Sequence, residues 1–199
     1  MFSFIRDSFV FILANLFDIT LVTLAWLFLQ VPVITGPAAT VAVYHFARQA
    51  VLKDEAQFKD FIQGLRIYFW KAWLLVFPYT LVLLILAYDI FFFLSAEQPN
   101  SRLWASVPMA ILSIVLVAQS YLFAFFVREK GALRVAVKKA FLLAVAHPVF
   151  TMALLLITML FFLGLYATRI GLAMVYVGPV AVLQTKAVQY LLKKRGIEF

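Results

Sequence analysis

Asn15 and Asp18 stand one helical turn apart inside the first long apolar run of the chain. An ionisable group in such a run is where proton or cation handling would be sought, so this pair is the candidate intramembrane polar site. The competing reading is that Asp18 faces a cytoplasmic cavity or pairs with a basic loop residue. Asp89, near the outer end of a later run, reads as interfacial, and Lys186 can carry its ammonium to the inner surface along its alkyl stem. His45 and His147 each stand without a His, Asp or Glu at ligand spacing, so no metal or other cofactor is expected. His45 reads as a packed or interfacial residue, and His147-Pro148 as the entry to a helix. There is no phosphate-binding loop, dinucleotide-binding glycine pattern, HExxH or nucleophile elbow, and the Ser and Thr of the apolar runs lack an adjacent base. An enzyme is not expected.

The elements that carry these residues belong to lipid. The 199-residue chain is 66% hydrophobic and only 13% charged, with 22 Phe and a mean hydropathy of +1.03. A water-soluble fold of this size would hold about 25% charged residues. There is room for a single membrane domain over 1–199. The absence of Cys excludes disulfides and thiolate metal sites. The net charge of +8 is read as basic loops on the cytoplasmic side touching anionic lipid, and nucleic acid is not expected as a partner.

A bilayer core about 30 Å thick needs ~20 apolar residues as helix. Phe9–Val33, Ala72–Phe93, Leu103–Val127 and Phe141–Ala167 meet this, and the first is read as a retained helix because it is too long for a signal peptide. Two stretches are marginal. Pro37–Leu52 spans roughly 24 Å, and Leu172–Leu192 carries Gly178-Pro179 in its middle. If all six cross with the N-terminus inside, only Arg102 and Arg169 of the 17 Lys and Arg lie outside. The positive-inside rule therefore favours an all-α bundle of about six spans with both termini cytoplasmic, in a bacterial plasma membrane.

Gly36 and Pro37 open the short second helix, with Pro37 at a first-turn position and Gly36/Thr40 and Ala38/Ala42 as small-xxx-small pairs that permit close helix packing. Gly178-Pro179-Val180-Ala181 echoes Gly36-Pro37-Ala38-Ala39, either as a parallel repeat of hairpins or by chance. Pro179 frees the carbonyl of Val175, which reads as a packing hinge or as an ion ligand. Between the second and third spans, over 53–70, Phe58, Phe61, Ile62, Leu65, Tyr68 and Phe69 fall on one helical face. This predicts a cytoplasmic amphipathic helix that docks on a partner or on the inner leaflet through Phe58, Phe61, Ile62 and Leu65. Arg128–Lys139 reads as a basic loop.

Asn15-Leu16, the helix with Trp26, the run Pro32-Val33-Ile34-Thr35-Gly36-Pro37-Ala38-Ala39-Thr40-Val41-Ala42-Val43-Tyr44 and the Phe-rich segment Phe58–Phe69 resemble the YesL-like family of bacterial membrane proteins. Thr-Gly-Pro-Ala-Ala is the most specific part. The resemblance implies an accessory membrane protein found alongside sugar importers of the ABC type, and brings no catalytic residues. Two functions are weighed: an accessory or scaffold subunit of another membrane complex such as a carbohydrate ABC importer, and a small transporter or channel using Asp18. A likeness to the permease coupling segment (Glu55-Ala56, Gly64, Pro78) fails on spacing.

Overall fold

The computed structural model describes residues 2–96, 100–168 and 176–196. Within them the chain is all helical: α1 (Phe2–Ala14), α2 (Leu16–Gln30), α3 (Gly36–Lys53), α4 (Phe58–Ser95), α5 (Ser101–Arg128), α6 (Leu133–Ala146), α7 (Pro148–Thr168) and α8 (Val177–Lys193). Three of them, α4, α5 and α7, are long and apolar enough to cross a bilayer, and α1 with α2 makes a fourth if that pair is one span broken by a 78° bend. The first apolar run is thus two helices meeting at Asn15, whose backbone leaves helical geometry there.

The two marginal stretches, which form α3 and α8, are not among these candidate spans, and both pack largely inside the protein. Helix α3 lies at the centre, packed by α2, α4, α5 and α8. Ala38, Ala39, Val41, Ala42, Val43, Phe46, Ala47 and Ala50 are fully buried, so the small residues do bring backbones together around α3. Helix α8 buries most of its length in the same core. Arg169 and the expected start of the last span, Val175 included, lie outside the described residues.

Helix α4 revises a second expectation. The amphipathic segment 53–70 is no separate surface helix, because α4 runs unbroken from Phe58 through Pro78 to Ser95. At 38 residues it is about 57 Å long, nearly twice the bilayer core, and its first third carries the charged residues Lys59, Asp60 and Arg66. That third lies antiparallel to α3, with Gly64 against His45 and Lys53 against Asp60. A third difference lies at the expected loop Arg128–Lys139. After a tight turn with Lys130 and Gly131 at positive φ, most of it is α6, which packs back along α5. The following span starts at Pro148, after a break at His147.

Candidate functional site

The polar side chains gather where α2, α3, α4 and α5 meet. Asn15 and Asp18, both half-buried, are brought together there, as fasteners of the α3–α4 connection. The Asn15 amide donates to the Phe11 carbonyl (3.0 Å), and its Oδ1 accepts the Ala56 N–H (3.0 Å). The Asp18 carboxylate accepts the Phe58 N–H (3.3 Å) at the first turn of α4, where the free N–H groups and the helix dipole favour negative charge.

Directly beyond, buried Asp60 takes the Lys53 ammonium with both oxygens, at 2.8 and 3.0 Å. Asp60 lies off the apolar face formed by Phe58, Phe61, Ile62 and Leu65 in the sequence. The signal for the pair was the seven-residue separation across a tight turn, closed by Asp54 in the left-handed conformation. His45 sits one layer further in, 5.6 Å from the Tyr68 ring, and neither of its buried nitrogens has a hydrogen-bond partner. Burial holds its pKa below the ordinary imidazole value. Asp60 opposes that shift, while Arg48 and Lys53 add to it. A Cβ at Gly64 would stand 2.7 Å from the His45 Cβ, so only glycine lets α3 and α4 approach this closely. Tyr68 donates to the Val127 carbonyl (3.0 Å) and Lys71 to the Lys130 carbonyl (3.0 Å), which ties α4 to the end of α5. Glu129 closes the belt with Lys139 (2.8 Å) and Arg128 (3.4 Å).

Deeper in the bundle, polar groups pair with one another. Tyr44 donates to Gln184 (2.6 Å), Tyr79 to Gln119 (2.6 Å) and Trp26 to Thr40 (3.1 Å), and Tyr121 shares a hydrogen bond with Thr151 (2.9 Å). Gly36 opens α3 beneath Gln30, and Pro37 follows in the first turn. Gly178 donates its N–H to the Thr23 hydroxyl (3.1 Å), and Pro179 follows in the first turn of α8. Pro179 thus stands in the first turn of α8, a position at which its missing N–H costs little. The two Gly-Pro elements share one role, opening the core helices α3 and α8.

The docking residues read from sequence are turned inward. Phe61 is fully buried, and Phe58, Ile62 and Leu65 pack against the core. Alternation of apolar and polar positions shows that a face is buried but not by what. The exposed face of α4 is another one: Trp70, Leu74, Phe77, Leu81, Ile85 and Tyr88 form a continuous outward stripe, extended by Phe91 and Phe92. Among the described residues, no three of His, Asp and Glu stand close enough to hold a metal ion. Apolar cavities of about 340 and 380 Å³ flank α6, and one of about 100 Å³ lies between α1, α7 and α8. Chemically, the polar cluster can clamp helices and hold an imidazole whose protonation burial disfavours, and the large exposed surfaces are lined by apolar side chains.

The family described as "Protein of unknown function, DUF624" matches residues 19–90, from α2 through most of α4. No curated protein and no solved structure matches the chain.

Proposed function

We propose that the chain is an accessory or scaffold subunit of another membrane complex, and that this complex is a carbohydrate importer of the ABC type. The observation that carries the scaffold reading is the stripe from Trp70 to Phe92. It is aromatic-rich and outward-facing, and it lies on a helix whose other face is fixed by the core. The buried polar pairs favour it over a conduit: Tyr44–Gln184 and Tyr121–Thr151 satisfy each other across helices, and Asp18 is spent on the head of α4. The importer as partner rests on the resemblance of Pro32–Tyr44 and Phe58–Phe69 to YesL-like proteins. Both segments fall inside 19–90. The basic residues of the α3–α4 and α5–α6 connections support a plasma-membrane placement with both termini cytoplasmic.

The test is purification of the tagged chain from its native membranes in mild detergent, with mass spectrometry of what accompanies it. The comparison is a variant with Ile85, Tyr88 and Phe92 changed to Ala, which leaves the core intact. Importer permease subunits recovered with the wild type and lost from the variant are the expected result. Recovery of the chain alone in both forms sinks the proposal.

A further inference from the structure

Helix α6 leaves an apolar trough on the membrane-facing side of the α4–α5 pair. Its first part, about 340 Å³, is floored by Leu75, Pro78, Ala118 and Leu122 and walled by Val137 and Phe141 of α6. Its second part, about 380 Å³, shares Ile114 and Phe141 with the first and continues to Pro148 and Met152. The trough exists because small residues stand where large ones would fill it: Ala118 on α5 and Ala140 on α6, with Pro78 on α4. Each part falls in the range of small-molecule sites, about 300–1,000 Å³.

One end of the trough is strongly basic. Leu133, the first residue of α6, lines it, and Arg134 and Lys138 are exposed one turn apart on the flank that carries Val137 and Phe141. Among the described residues neither Arg134 nor Lys138 is in an ion pair. Lys71 of α4 reaches the α5–α6 turn from the other side, its stem crossing Gly131 and its ammonium on the Lys130 carbonyl. Trp70, 79% exposed beside Lys71, marks the level at which aromatic rings meet lipid headgroups.

We infer that this trough is a binding site for one anionic phospholipid of the bilayer. An acyl chain lies along α6 between Leu133 and Phe141, and the phosphate sits between Arg134, Lys138 and Lys71. A partner helix laid in the same trough would satisfy its apolar walls and leave the cations uncountered. A lipid phosphodiester on an acyl chain meets both demands at once. The lipid then also cements α6, whose buried side is only Ala136, Ala140, Leu143 and Ala144, to the two long helices.

The experiment uses the full chain in nanodiscs of phosphatidylcholine, titrated with phosphatidylglycerol, with bound lipid read by native mass spectrometry. Arg134→Gln/Lys138→Gln removes two headgroup contacts and should weaken phosphatidylglycerol binding roughly thirty-fold, at about five-fold per basic residue near the surface. Val137→Trp fills the trough and should abolish the bound lipid with the charges intact. Val149→Trp, on the exposed face of α7, should leave binding at the wild-type level. The inference is overturned by equal retention of phosphatidylcholine and phosphatidylglycerol, by no lipid retained on the wild type, or by wild-type binding in both trough variants. Because the double Gln variant changes only exposed side chains, its result stands even if Val137→Trp does not fold.

Discussion

Gly64→Ala tests the packing of α3 on α4 at the point where the two backbones come closest. The added Cβ would lie 2.7 Å from the His45 Cβ and 3.0 Å from its Cγ and Cδ2. A flexible side-chain tip could step aside. The His45 Cβ is fixed to the backbone of a helix whose surrounding residues are fully buried, so the helices themselves must separate. Overpacking of this kind costs about 1–3 kcal/mol, against a gain of at most about 1 kcal/mol in helix propensity from replacing glycine. The net is a destabilisation of up to about 2 kcal/mol, which for a chain of this size lowers the melting temperature by up to roughly 8 °C. Gly164→Ala is the control, since a Cβ there meets nothing within 4 Å and the propensity gain should appear alone. The assay is thermal unfolding in detergent followed by tryptophan fluorescence. If Gly64→Ala melts at or above the wild-type temperature while Gly164→Ala behaves as stated, the close approach of α3 and α4 is wrong.

Asp18→Ala should cost about 0.5–2 kcal/mol, the usual effect of removing a side-chain acceptor at a helix start, whereas Asp18→Asn keeps an acceptor and should stay within a few tenths of the wild type. A large loss in Asp18→Asn, read in the same melting assay, would show that the charge itself is required. His45 gives a pH dependence of fixed sign. Its folded pKa is lowered by burial, with Asp60 and Tyr68 facing it from α4 and Arg48 and Lys53 from its own helix. Stability is therefore complete above the unfolded imidazole pKa near 6.5 and is lost as pH falls from there towards the folded value, because the unfolded chain takes up a proton that the folded chain refuses. The slope is at most ~1.4 kcal/mol per pH unit, and His45→Gln should flatten it. An unchanged slope in that variant would contradict the buried, neutral ring.

Composition was enough to establish a helical membrane protein, and three of the four clear apolar runs overlap the helices fit to span, α4, α5 and α7. The central place of α3 was not legible. An apolar window measures exclusion from water, and both lipid and protein exclude water. The hint lay in the kind of residue, since α3 has Ala at 38, 39, 42, 47 and 50 where a lipid-facing helix would carry Leu and Phe. The inward turn of Phe61 was hidden for the same reason. The length of α4 was obscured by Lys71, after which the apolar run Ala72–Phe93 begins, although the helix starts at Phe58 and runs through both Lys71 and Pro78. Asn15 and Asp18 were found as a pair, but their partners Ala56 and Phe58 lie some 40 residues away and no local pattern points to them. Tyr44–Gln184, separated by 140 residues, is beyond any such pattern.

The most direct test of the scaffold account is photo-crosslinking in native membranes, with a photoreactive phenylalanine analogue placed at Tyr88 on the outward stripe and, separately, at Phe61 in the core. The account predicts a discrete adduct with a second membrane protein from position 88, an importer permease subunit by mass spectrometry, and none from position 61. No protein adduct from position 88, or equal adducts from both positions, would contradict it.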